Sequence, residues 1–219
     1  MFGRHLDRIE RTVSRGRVLD VGCATGDFLD VARQRGWDVL GVDPSPARDQ
    51  AVAAGLPIVG MTIHDADVAP GSVDLITFWD VLEHIGNPGA DLHHALTLLS
   101  PGGVVAATVP DAGTFAARVS GARWFGYKTA GEHLQFFTPR TLARTFANAG
   151  FEMVVNQPVA WSCTVAFLTD RAALYLGPVG RGLNRVVLIT GAGNAIVDVP
   201  QVNRFGLARR VGASNKRAA

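Results

Sequence analysis

Two of the chain's four glutamates directly precede a histidine, Glu83-His84 and Glu132-His133. A neutral imidazole can take a proton at pH 7, and a carboxylate beside it can orient the ring or neutralise its charged form. The bland reading of each pair is a helix cap or a backbone hydrogen bond. Asp20-Val-Gly22-Cys-Ala-Thr-Gly26 is a second constellation, a glycine-bounded turn at the junction of a β-branched run and a helical pattern. Glycine there lets backbone approach a ligand, and the helix start offers unpaired amides. Asp43 follows 21 residues after Gly22, where a carboxylate ending the next strand can accept both hydroxyls of a ribose. Position 24 is alanine and the two glycines are four apart, so G-x-G-x-x-G is not met. That spacing excludes a pyrophosphate cradle and disfavours a nicotinamide-linked oxidoreductase. No Asp, Glu and His cluster at fixed spacing points to a metal, and none is expected. His93 and His94 fall on the polar side of a helix and read as solvated, while His5 and His64 carry no argument.

The elements that must position these groups alternate. Strands are expected over 17–22, 38–43, 57–63, 73–79, 104–109 and 151–155, with a last one near 203–211. Helices are expected over 27–35, over 46–54 with Ser45 as cap, over 89–99, over 139–148 behind Thr138-Pro139, and over about 168–190 with a break at Gly177-Pro178. Such alternation means βαβ units and a parallel, doubly wound α/β sheet. Between Pro110 and Pro139 the rhythm lapses into glycines and aromatics (Phe115, Trp124, Phe125, Tyr127, Phe136, Phe137), expected to form a lid or acceptor insertion over 111–138. The expected plan is one domain: an N-terminal helix in 1–15, a cofactor-binding core over 16–110, that insertion, the rest of the sheet with added helices over 139–212, and a basic tail over 213–219.

Composition bounds the partners. At 219 residues, 47% hydrophobic and 18% charged, the chain can build a proper core and is not disordered. Net charge is +2, and residues 1–200 carry 16 basic against 19 acidic side chains, so no nucleic-acid partner is advertised. Cys23 and Cys163 show no metal or disulfide spacing, and no secretory signal is evident, so a cytoplasmic setting is expected. The longest late apolar run, Val186 to Val197, is too short to span a bilayer. Peripheral membrane contact is weighed only for the C-terminal region. The oligomeric state is open.

Val18-Leu-Asp-Val-Gly-Cys-Ala-Thr-Gly26 resembles motif I of the class I S-adenosylmethionine-dependent methyltransferases. Val42-Asp43-Pro44-Ser45, Val73-Asp74-Leu-Ile-Thr77 and Leu99-Ser-Pro-Gly-Gly103 follow the same pattern. Phe78-Trp-Asp-Val-Leu-Glu-His84 with Asn87-Pro88 is similar to a bacterial subgroup that includes ubiquinone-biosynthesis-type and sugar or secondary-metabolite O-methyltransferases. Its later signature is matched by Arg123-Trp-Phe-Gly, Glu132-His133, Phe136-Phe-Thr-Pro139 and Ala149-Gly-Phe151. Ala24, where the family usually has glycine, departs from the pattern, and the C-terminal stretch matches none. The resemblance implies a Rossmann-like seven-stranded sheet, mostly parallel, whose last strand is antiparallel. It implies S-adenosyl-L-methionine as cofactor, with Gly22, Cys23 and Gly26 beside the methionine part, Asp20 steadying the turn, and Asp43 on the ribose. Pro44 would lie beside the adenine, Asp65 with Ala66 near the adenine amine, and Phe78 or Trp79 over the methionine end. His133 and His84 are then the candidate bases for methylating a small hydroxylated molecule. The competing class is a methyltransferase-like module that binds the cofactor without turnover.

Overall fold

The structure is a computed structural model that describes residues 1–121, 124 and 133–212. Runs of β-branched residues too short for helices form its sheet. β1 (Arg17–Val21), β2 (Asp38–Val42) and β3 (Val73–Trp79) are buried along nearly their whole length, as strands covered on both faces must be. Crossover helices α2 (Asp27–Gln34), α3 (Arg48–Ala53) and α4 (Pro88–Leu98) return the chain so that β1 pairs parallel with β2 and β3. β3 in turn pairs parallel with β4 (Leu99–Pro110). β5 (Phe151–Thr164) and β6 (Ile196–Arg210) complete the order β2-β1-β3-β4-β6-β5, with β6 antiparallel to β4.

Strand alternation assigns the two faces. Leu19, Val21, Ile76 and Phe78 share a core with Leu92 and Ala95 of α4 and with Leu142 and Phe146 of α6 (Pro139–Asn148). On the opposite face Trp79 meets Phe28 of α2 at 5.2 Å between ring centroids and His5 of α1 (Phe2–Ile9) at 5.1 Å. Arg35 binds α1 to α2 through Asp7, Glu10 and the Gly3 carbonyl.

Several expectations change. The strand expected over 57–63 is an edge segment joined to β2 by one bridge, Gly41↔Ile58. Pro57 lacks an N–H for the ladder, and Asp65 folds the chain back at Met61 and Thr62. With this edge segment the sheet has its expected seven strand positions. α1 stops at Ile9, well short of residue 15. α3 starts at Arg48 with no side-chain cap, because the Ser45 hydroxyl is bonded to Asp43 instead. β4, β5 and β6 all outrun their expected lengths. The C-terminal helix divides as expected at Gly177-Pro178, into α7 (Val165–Leu176) and α8 (Pro178–Ile189).

The chain forms two compact units. One is Met1–Pro158 with the returning segment that begins at Asn203, and the other is Val159–Val202. In the second unit α7 and α8 pair closely: a Cβ placed on Gly180 would lie 2.5 Å from the Ala173 Cα. Thr169 on α7 donates to Asn184 on α8 at 2.8 Å. Ser162 donates to Asp198 across the base of the pair. Residues 213–219 of the expected basic tail lie outside the described residues. Arg204 of β6 pairs its guanidinium with the buried Asp111 at 2.8 Å.

Candidate functional site

The turn after β1 is built from left-handed backbone. Gly22 has φ 76°, Ala24 φ 45° and Gly26 φ 86°. A Cβ on Gly22 would lie 2.5 Å from Val81 Cγ2, and one on Gly26 would run into Leu56. Ala24 accepts a conformation that costs a non-glycine residue about 1–2 kcal/mol, more than the mild departure its methyl suggests in the sequence. Asp43 holds that strained residue: its Oδ2 accepts the Ala24 N–H at 2.8 Å, while Oδ1 accepts the Ser45 N–H and hydroxyl at 2.7 and 2.5 Å. The acid at the end of β2 and the turn after β1 therefore form one unit. Pro44 lies between Asp43 and Ser45 in that loop.

Asp20 is brought to the same strand ends. Its Oδ1 accepts from the Thr77 hydroxyl of β3 at 2.6 Å. Burial, with the Asp43 charge adding to it, pushes the carboxyl up to about 8. Period-2 alternation turns Asp20 to the opposite face from Leu19 and Val21, where it is buried. Cys23 is buried, its sulfur against Gly41, and burial pushes its thiol up to about 12; only its backbone faces the turn. Thr77 and Gly41 are functional neighbours the sequence reading left without a role. A threonine inside an otherwise apolar strand was the available signal for the first.

Asp65 and Ala66 sit in a tight turn. The exposed Asp65 carboxylate accepts from the Met61 and Thr62 amides and the Thr62 hydroxyl, and these bonds hold it down to about 2 against a small desolvation. Its oxygens thus serve the turn, and the backbone of Ala66 packs on Gly60, 3.0 Å from a Cβ placed there. Phe78 is sealed in the core and Trp79 lies on the opposite face under α1, so neither presents an open ring.

The histidine pair is assembled by the chain's return. Asp80, directly after β3 and also left-handed at φ 54°, accepts through its carboxylate from Thr108 at 2.9 Å and Asn203 at 2.7 Å. A single 3-10 turn, Leu82–His84, follows. The Glu83 carbonyl accepts both the Leu134 and Gln135 amides, at 2.7 and 2.9 Å. That clamp sets the His133 ring edge-on to His84, with centroids 4.8 Å apart. Glu83 itself is 1% exposed, and neither carboxyl oxygen has a hydrogen-bond partner among the described residues. Burial, then the neighbouring Asp80 charge, drives its pKa well up and favours the neutral acid. Ligating atoms of Glu83, His84 and His133 all lie within 4.8 Å of one another, a group able to hold a divalent ion where no metal site was expected. Glu132, the partner expected for His133, lies outside the described residues.

Most of the expected lid also lies outside them. Its two ends do not: Asp111 bridges to Phe137, the Ala112 amide donates to the Phe137 carbonyl at 2.8 Å, and Thr114 caps the short α5 (Phe115–Ser120).

With this geometry established, comparisons with known proteins bear on it directly. Residues 2–156 match the family described as Methyltransferase domain. A ubiquinone biosynthesis O-methyltransferase of Cereibacter sphaeroides is 32% identical over 172 residues, covering 71% of this chain and 68% of the relative. One of Azoarcus is 32% identical over 151 residues, covering 63% of this chain and 65% of the relative. Among solved structures, an S-adenosylmethionine-dependent methyltransferase from Mesorhizobium loti superposes with a TM-score of 0.63 over 94% of this chain and 96% of its own, at 20% identity. No helix among the described residues is long and apolar enough to cross a membrane.

Proposed function

Because the chain belongs to the class I S-adenosylmethionine-dependent methyltransferases, we propose that it methylates a hydroxyl oxygen of a small acceptor such as a quinone precursor, sugar, polyketide or lipid-like phenol. The observation that carries this reading is the placement of His133 against His84, at the carboxyl end of β3, where open α/β sheets bind their ligands. The O-methyltransferase relatives support oxygen as the acceptor atom.

The cofactor residues fit the group. The glycines let Val81 and Leu56 pack closely against a left-handed turn, and Asp43 stands at its edge with one carboxylate lone pair beyond those taken by Ala24 and Ser45 for a ribose hydroxyl. Pro44 would flank the adenine, and the Ala66 backbone would approach its amine. S-adenosylmethionine, when bound, supplies an electrophilic methyl on a sulfonium. The protein's own work is then to hold the acceptor hydroxyl in line and take its proton. His133 accepts that proton at a ring nitrogen, His84 beside it fixes the ring, and the Glu83 backbone clamp holds both in place. A second reading is favoured by the unpartnered Glu83 carboxyl: a divalent ion on Glu83, His84 and His133 would bind the acceptor oxygens and lower their pKa.

Deuteromethyl-labelled S-adenosylmethionine, incubated with the protein and a panel of catechols, phenols and sugars, tests the proposal. Label recovered on acceptor oxygen, with S-adenosylhomocysteine released, is expected. Label on nitrogen or carbon would overturn the oxygen assignment. Tight cofactor binding with no homocysteine product across the panel would favour a module without turnover. A chelator separates the two readings, since only the metal-assisted one loses activity and regains it on adding Mg²⁺ or Zn²⁺.

A further inference from the structure

The helical pair in the second unit carries an apolar surface that its own packing does not use. α8 turns Gly180 and Asn184 toward α7. About 100° around the helix, at i, i+4 and i+7, stand Val179, Leu183 and Val186, which are 75%, 47% and 57% exposed, and Ile189 extends the row at 75%. Arg181 and Arg185, one turn apart, lie on the flank of this stripe, both exposed and without a carboxylate partner among the described residues. From Arg171 to Val197 the sequence contains no acidic residue.

We propose that this face of α8 docks on an anionic lipid membrane, with the helix lying in the interface rather than spanning it. An apolar stripe bordered by arginines on an acid-free helix is the arrangement that buries side chains at the headgroup boundary while cations stay among the phosphates. The charge decides between occupants. A second copy would bring the same uncompensated arginines against these, and a like-charged pairing is disfavoured; an anionic bilayer supplies the missing counter-charge. At 12 residues α8 is far too short to cross the bilayer. This inference rests on the surface alone and stands whatever acceptor the enzyme uses.

Flotation of the full-length protein with vesicles tests it. Binding is expected to phosphatidylglycerol-rich vesicles, to be weaker on phosphatidylcholine alone, and to fall as salt is raised. Arg181→Glu with Arg185→Glu should weaken binding to the anionic vesicles by about fivefold or more per arginine. Val179→Asp with Leu183→Asp should abolish it on both compositions. These positions are exposed, and retained thermal stabilisation by S-adenosylhomocysteine verifies that each variant is folded. No flotation with anionic vesicles, or equal flotation of the aspartate variant, would overturn the proposal. So would a dimer by light scattering that the same aspartates dissociate, since the face would then be occupied by a second copy.

Discussion

Gly22 holds φ 76° with Val81 packed where its side chain would go. Gly22→Val should therefore eliminate S-adenosylmethionine binding, by strain and by filling the turn; calorimetry on variant protein with wild-type circular dichroism is the check. His5 makes a separate prediction. It is stacked between Trp79 and Phe205, and neither ring nitrogen has a hydrogen-bond partner among the described residues. Burial, assisted by the charges of Arg8, the N-terminus and Arg4, lowers its pKa from 6.5 to about 4. The unfolded chain then binds the extra proton first, so the native state is at full advantage above pH 6.5 and loses it as pH falls toward 4. Urea unfolding should show stability dropping by about 1–3 kcal/mol across that window. His5→Phe, which keeps the stack and removes the titrating group, should flatten the slope; an unchanged slope would mean His5 is not its source. Glycines and a strand-end aspartate are legible from sequence because their conformations and chemistry are local. The Asp20–Thr77 bond was not legible, because Thr77 is 57 residues away and reachable only through sheet register.

Elements set which groups meet. Thr77 lies opposite Asp20 in the β1–β3 register, and its hydroxyl is the carboxyl's one protein donor among the described residues. Thr77→Val should cost about 1–3 kcal/mol by leaving that buried group unsatisfied, measured by thermal or urea unfolding. Asp111 is joined to Phe137 by a bridge and to Arg204 by an ion pair. Amides of 111–138 should gain hydrogen-exchange protection when S-adenosylhomocysteine and acceptor are both present. Equal, strong protection in both states would make the segment plain core. The β/α rhythm was readable through Pro110 because buried strands and amphipathic helices leave different periods. The 57–63 strand was not, since an apolar run fits a strand, a bridge or a turn until hydrogen-bond partners are known. The resemblance offered Phe78 or Trp79 for the methionine end, yet alternation sends one to each face.

For the whole molecule, the fold and the reaction class were legible and the division into two units was not. The boundary at Val159 and Val202 falls inside β5 and β6, so no break in pattern or composition marks it. The histidine juxtaposition was equally hidden, because 49 residues separate His84 from His133 and the link is the Glu83 carbonyl. Every functional step nonetheless depends on one premise, that the β1 turn and Asp43 hold S-adenosylmethionine. Titration calorimetry of the wild type and Asp43→Ala with that cofactor tests it most directly. Saturable binding to the wild type is expected, with a dissociation constant raised in the variant by about 10- to 100-fold, the loss of roughly 1.5–3 kcal/mol of charge-assisted hydrogen bonding. An unchanged dissociation constant in Asp43→Ala, or no binding to the wild type, would contradict it.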